Sequence, residues 1–323
     1  MTDHAASARA IAAIIAAAAL IVASPGCGPA SAYAPPGFTL EEWAWEEHHA
    51  AERAGDLEAA VAGYRALCEA EPGYARACYD RVRVLFEMGR TGEARAETME
   101  LVVAHPSHAL SPTAVARLAA SYEEGADPGA GIAALEGLEE RVRGTDVWDS
   151  TVYELARLHR GRGDGAGEAG ALARIVAEGR WGSQLWDDAI WRSVELASSR
   201  GERDKERRLL EKIVASQEES RLIGSYNSKY HDDALLRLGR LLLEDGRLEE
   251  AHGAFERLMA WKTSRLRDDG TYWAAVVRLR QGRAADACAL LHEISSKMVW
   301  SNSVDDAAEL AREAGCGRGA AGR

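Results

Sequence analysis

Apolar positions recur along this chain with the spacing of one helix face, in segments of about 13 residues that end on a glycine and resume after a short turn. The terminating glycines are Gly55, Gly89, Gly125, Gly163, Gly201, Gly246 and Gly282, separated by 34, 36, 38, 38, 45 and 36 residues. A period in this range, with two helical segments in each, predicts an array of helical hairpins. Helices of ~13 residues are marginal alone in water, so each hairpin must bury its apolar face against its neighbours. The expectation is an all-α fold: a right-handed α-solenoid over residues 40–315, seven hairpins followed by a lone covering helix from Ala307 to Gly315, with 316–323 a disordered tail. All eight prolines lie at or before Pro128, which leaves the following 195 residues free of the strongest helix breaker.

The residues inside each period sharpen this picture. Counted from Glu41, glycine falls at position 15 (Gly55), a small residue at 20 (Ala60), an aromatic at 24 (Tyr64) and proline at 32 (Pro72). Counted from Ala75, the same places hold Gly89, Ala94, Thr98 and Pro106. From Asp232 come Leu238 and Gly239 at 7 and 8, then Gly246, Ala251 and Phe255. Small residues at 8 and 20 let two helices approach, and a bulky one at 24 fills the gap toward the next hairpin. Repeats beginning near Ser111, Asp149, Asp187 and Asp268 keep the glycine and a leucine near position 24, at Leu135, Leu172, Leu210 and Leu291. Two of them place Glu168 and Glu206 at position 20, which implies looser packing there. The pattern resembles the tetratricopeptide repeat. Asp-Asp pairs at 187–188, 232–233, 268–269 and 305–306 open first helices in constant phase, favouring helix capping and dipole stabilisation over metal binding.

Residues 10–22 form an unbroken apolar run; as a helix it reaches about 20 Å, short of a bilayer core, and reads as the apolar region of a signal peptide spanning 1–26. Two processing sites follow. Ser24-Pro25-Gly26-Cys27 resembles a bacterial lipobox, with Ser24 in place of its usual leucine, and implies an acylated Cys27. Ala30-Ser31-Ala32 fits ordinary signal peptidase. Cys27 lies nearer the end of the apolar run, and the Pro/Gly/Ala-rich stretch 27–39 has a tether's composition, so lipidation is the favoured expectation. Gly28 after the cysteine resembles the outer-membrane sorting pattern. An exported protein facing the periplasm is expected, with membrane contact through the lipid anchor.

With 39 basic against 51 acidic residues the chain carries a net charge of −12, which argues against binding a phosphate backbone. Five cysteines in 323 residues are too few for a disulfide scaffold. Cys68 and Cys78 flank the Pro72-Gly73 turn, where two antiparallel helices can set them face to face; a disulfide and a pair of buried small side chains both fit. Cys288 and Cys316 stand too far apart in the repeat count to be paired from sequence. His48, His49, His105 and His108 have no metal-ligand spacing, and no nucleophile elbow, P-loop or dinucleotide motif occurs. No catalytic set, metal site or cofactor is expected. Only about 29 residues follow the last repeat, too few for a catalytic domain.

Position 5 of the first helix reads Trp45, Tyr79, Val115, Tyr153, Trp191, Leu236 and Tyr272, five aromatics of seven in a chain 7% aromatic. Position 9 supplies Arg83, Arg157 and Arg240. Such a strip can clasp an extended peptide or glycan by stacking and carboxylate pairing, or it can fill space between first helices. The 214–230 stretch lengthens one period and is either a recognition loop or a spacer. The asparagine–lysine carboxylate clamp of cytosolic tetratricopeptide co-chaperones is absent: the only asparagines are Asn227 and Asn302, and no lysine precedes Lys205. Repeat type and compartment look instead like envelope scaffolds, including the lipoprotein of the outer-membrane β-barrel assembly machine and periplasmic repeat proteins of the Tol system. The resulting expectation is a non-enzymatic scaffold that binds a protein or peptide in its groove. The alternative is an auxiliary module of a peptidoglycan-processing system.

Overall fold

A computed structural model describes residues 39–71, 74–179, 181–218, 228–261, 264–298 and 301–316. The expected signal peptide, Cys27, the tether up to Phe38, the Pro72-Gly73 turn and residues 219–227 of the long interval fall outside them. Fifteen α-helices and no strand lie among the described residues: α1 Leu40–Arg53, α2 Leu57–Ala70, α3 Ala75–Glu87, α4 Thr91–Ala104, α5 Ser111–Glu124, α6 Pro128–Val142, α7 Trp148–Gly161, α8 Gly165–Glu178, α9 Trp186–Ser199, α10 Arg203–Ala215, α11 His231–Glu244, α12 Leu248–Ala260, α13 Arg267–Arg280, α14 Ala284–Lys297 and α15 Val304–Glu313. The helical period read from the glycines is therefore the observed one. No described helix is long and apolar enough to cross a membrane.

Contacts divide the chain into two compact units, with the boundary inside α5 between Ser121 and Tyr122. In the first, α1 packs on α2, α2 on α3 and α3 on α4. In the second, each helix from α6 to α15 packs on the next, giving four hairpins, α7–α8 to α13–α14, flanked by α6 and α15.

Each hairpin turn is built the same way. The second residue after the helix takes positive φ, and the next backbone N–H reaches five residues back: Arg90 to Leu85, Asp164 to His159, Arg247 to Leu242. Glycine occupies that left-handed place at 55, 89, 163, 201, 246 and 282. The turn between α5 and α6 differs: φ is +54° at Ala126, and the expected Gly125 is not the left-handed residue. A one-residue insertion shifts the register, so the geometry falls on alanine. Asp56, Asp127 and Asp164 then cap the helices that follow, accepting from the backbone N–H three residues on.

Packing follows the 8–20–24 logic most clearly between α11 and α12. A Cβ on Gly239 would lie 2.5 Å from Cε1 of Phe255, so only glycine lets that buried ring seat. Thr98, where the pattern asks for bulk, is fully buried and returns its hydroxyl to the Ala94 carbonyl at 2.6 Å.

Three expectations are corrected. The Asp-Asp pairs sit in first turns, but their helices take no side-chain cap from them. Several carboxylates instead accept hydrogen bonds from the loop leading into the next hairpin: Asp188 from the Tyr230 hydroxyl at 2.9 Å, and Asp268 from the Ser301 hydroxyl at 2.5 Å. Asp149 of α7 shows the same logic, accepting from the Ser183 hydroxyl at 2.9 Å and the Gln184 N–H at 3.0 Å. Second, Glu168 and Glu206 do not loosen their helices. Both are buried and each takes a guanidinium from the following helix, Arg192 and Arg237, at 2.7 Å. Third, Cys316 does not open a disordered tail. It is bonded to Cys288, a pairing invisible in the repeat count because α15 folds back onto α14.

Candidate partner-binding site

The aromatic and arginine positions divide into two groups, one in each unit. In the first unit, Trp45 of α1 donates its indole N–H to Asp80 at 2.8 Å, carries the Arg76 guanidinium 4.0 Å above its ring and stacks on His49 at 4.7 Å. Arg83 donates to Glu52 at 2.8 Å and to Asp80 at 3.3 Å. The Tyr64 hydroxyl donates to the same Glu52 at 2.9 Å. The Glu52 hydrogen bond, with its charge, pushes the Arg83 pKa above its ordinary range. Tyr79 is buried, shares a 2.5 Å hydrogen bond with Ser111 and stacks on His108 at 4.8 Å. These side chains tie α1, α2 and α3 to one another, and their charges and donors are spent internally.

In the second unit, Arg157 is held between Glu154, at 2.6 Å, and Glu123. Tyr153 is half-buried, and burial first, then the charge of Asp188, raises its phenol pKa. Tyr272 packs on the apolar cluster of Ala275, Ala287, Leu291, Ile294 and Ala307, meeting Trp273 edge-on at 5.6 Å. It serves the closing contact with α15 rather than a groove.

Trp191 and Arg240 remain. They line one pocket of about 430 Å³ between α9, α10 and α11, together with Leu236, Arg237, Glu206 and Asp233. Tyr230, at the described end of the long interval, stacks on Trp191 at 4.9 Å with the rings 3° from parallel. Arg237 lies 5.8 Å from the Trp191 ring centre but is committed to Glu206 at 2.7 Å. Arg240 differs: it is exposed, stands 4.9 Å over Trp273, and has no carboxylate within ion-pair distance among the described residues. Sequence reasoning had Trp191, Leu236 and Arg240 on the counted strip and Tyr230 within the long interval read as a recognition loop or a spacer; it missed Arg237, which lies off the strip.

Both cysteine pairs form disulfides, Cys68–Cys78 with Cα atoms 5.2 Å apart and Cys288–Cys316 with 5.5 Å. The first lines an apolar cavity of about 410 Å³ with Val82, Leu101 and Ala104. Among the described residues no group of three or more His, Cys, Asp or Glu side chains is placed to hold a metal.

Comparison with known proteins fits the hairpin geometry: a family model described as "Tetratricopeptide repeat" matches residues 233–260, the α11–α12 hairpin. That hairpin is a tetratricopeptide repeat. The helical array of the tetratricopeptide-repeat fold is that of a protein-binding scaffold. No curated protein matches the chain in sequence. Among solved structures, a tetratricopeptide repeat protein from Parabacteroides merdae is 14% identical, with 85% of this chain and 98% of that one covered and a TM-score of 0.35. The C-terminal part of a TPR repeat-containing protein from Cytophaga hutchinsonii is 14% identical over 73% of this chain and 85% of that one, with a TM-score of 0.46. A structure of Naa15/Naa10 bound to HypK-THB is 14% identical with a TM-score of 0.47; it covers 85% of this chain, which spans 39% of that one.

Proposed function

We propose that this protein is a non-enzymatic scaffold of the bacterial cell envelope that takes an acidic peptide segment of a partner protein in the pocket between α9, α10 and α11. The observation that carries the reading is Arg240, an exposed guanidinium beside Trp191 and Leu236 with no carboxylate paired to it among the described residues. A partner carboxylate there gains a charge-assisted bond, and the apolar walls take an adjoining side chain. The tetratricopeptide repeat at 233–260 supplies the helix that bears Arg240.

Export and lipidation at Cys27 belong to the same proposal. Two disulfides support an oxidising compartment, since such bonds persist in secreted and periplasmic proteins and are rare in the cytosol. The tests are direct. Protein captured from solubilised envelope should lose its co-purifying partner when Arg240→Glu replaces the wild type, while the variant stays folded with only a small drop in its melting transition. Cys27→Ser should move the protein from the membrane to the soluble periplasmic fraction. Retention of the partner by the first variant, or of membrane partition by the second, refutes the corresponding half.

A further inference from the structure

Residues 143–146 before the α7–α8 hairpin and 181–184 after it border a second cavity of the second unit, about 590 Å³ in volume. This lies within the size range of small-molecule sites, ~300–1,000 Å³. Its wall is held in place: Asp149 accepts from Ser183, Gln184 and Leu185, which fixes the 183–185 backbone against α7. Trp148 forms a buried part of the lining, and Trp181 stands at the cavity 71% exposed. A large side chain so exposed loses apolar burial unless a ligand covers it.

The polar lining is of one kind. Asp146, Glu178 and Gln184 present planar carboxylate and amide groups, and none of the three side chains has an intramolecular hydrogen bond among the described residues. Arg143, the cation of the lining, lies 3.5 Å from Glu139. Glu139 also takes Arg174 at 3.0 Å, but against Arg143 the lining sets Asp146, Asp149 and Glu178, so its net charge is negative, which repels phosphates, uronic acids and acidic peptides. What such a surface recognises is a neutral molecule with an apolar face and a rim of hydroxyl donors. A pyranose ring has both, with C–H groups that lie flat on an indole and equatorial hydroxyls that donate to carboxylates and exchange hydrogen bonds with an amide.

We infer that this cavity is a carbohydrate-binding site for a neutral oligosaccharide, one ring of which stacks on Trp181 while its hydroxyls bond to Asp146, Glu178 and Gln184. The inference does not rest on the peptide pocket at Arg240, which is lined by other residues. A protein that binds a partner through one surface and a glycan through another holds that partner against a glycan-bearing structure.

Isothermal titration of the full chain with chitotriose, cellotriose and maltotriose tests it, alongside Trp181→Ala and Glu178→Gln. Both side chains are exposed, so both variants should keep the wild-type melting transition. At least one trisaccharide should bind saturably. Trp181→Ala should weaken that binding at least tenfold, and Glu178→Gln should weaken it less. The inference is overturned if none of the three sugars binds saturably, or if affinity survives in Trp181→Ala. It is also overturned if pentalysine binds more tightly than every sugar in a Trp181-dependent way, which would make the cavity a site for basic peptides.

Discussion

Glu168 of α8 and Arg192 of α9 form an ion pair across two successive hairpins, with the guanidinium Nε 2.7 Å from the carboxylate. Glu206 and Arg237 repeat the arrangement one hairpin on at the same 2.7 Å. The glutamates occupy the place where these repeats otherwise set a small residue against the next helix. A carboxylate there is tolerated because the following helix supplies its countercharge, so the pair sets which hairpin face meets which.

Breaking the pair from the arginine side is the severe case. Glu168 is 4% exposed at its side chain while Arg192 is 27% exposed, so Arg192→Ala leaves a buried charge without a partner. Full burial makes such a loss worth ~3–5 kcal/mol; partial exposure of the arginine lowers the expectation to about 2–3 kcal/mol. Chemical denaturation of Arg192→Ala against Glu168→Gln/Arg192→Leu checks this, with the double variant expected to lose less. Equal losses would mean that the pair is not coupled.

Ala126 is the described non-glycine residue with positive φ, at +54°. An L-residue in that conformation costs ~1–2 kcal/mol relative to glycine, and glycine gives back part of this through its freer unfolded chain. Ala126→Gly should therefore stabilise the protein by roughly 0.5–1 kcal/mol. A lower denaturation midpoint would show that the Ala126 side chain contributes packing that outweighs its backbone strain.

What the chain's pattern disclosed and what it hid divide along physical lines. The helices, their turns and the buried Phe255 against Gly239 were legible, because glycine conformation and apolar period are local properties. The Asp149, Asp188 and Asp268 bonds were not, because each joins a first helix to a loop more than 30 residues on, and only folding brings them together. The Cys288–Cys316 bond was hidden for the same reason. The aromatic strip was legible as residues but not as roles. Spacing puts Tyr79 and Trp191 at equivalent positions, yet Tyr79 is buried against Ser111 while Trp191 lines an open pocket, a difference set by neighbouring repeats.

His231 opens α11 with both ring nitrogens buried and unpartnered. Burial first, and then the charge of Arg257, lowers its pKa below 6.5, while Asp232 opposes them. The folded state thus favours the neutral ring, and the unfolded chain binds a proton more readily. Stability from this group is full above about pH 6.5 and is lost as pH falls toward the depressed folded value. His48 and His252 are shifted in the same direction by burial. His231→Leu should leave stability at pH 8 unchanged or raised, and should flatten part of the decline between pH 6.5 and pH 5. An undiminished decline would assign the acid sensitivity to the other histidines.

The Cys288–Cys316 disulfide closes a loop of 28 residues that contains all of α15. On the chain-entropy estimate it contributes about 3.5 kcal/mol by restricting the unfolded state. Cys316→Ser should lower the melting transition and should raise amide exchange in α15 before it does so in α11 or α12, since α15 covers Ala287, Leu291 and Ile294 from one end. Uniform acceleration across the unit would mean that α15 is not a separable cap.

Arg157 and Arg240 hold equivalent places in their repeats but should respond oppositely to charge reversal. Arg157 sits between Glu154 and Glu123, so Arg157→Glu sets three carboxylates together where two were neutralised by one guanidinium. With Arg157 27% exposed, solvent screens part of this repulsion, and a loss of about 1–2 kcal/mol is expected, more at low ionic strength than at high. Arg240→Glu meets no such pair. It gives up its place over Trp273, worth about 0.5–1 kcal/mol at an exposed site. Thermal melts of the two variants at 20 mM and 500 mM salt separate the cases: a strongly salt-dependent drop for Arg157→Glu, and a small one for Arg240→Glu that depends less on salt, through the charge of Asp269. Partner binding should then be lost in Arg240→Glu while the protein remains folded, whereas any loss in Arg157→Glu should track its unfolding. If Arg240→Glu is the less stable of the two, its guanidinium is structural, and the pocket beside Trp191 is not where a carboxylate docks.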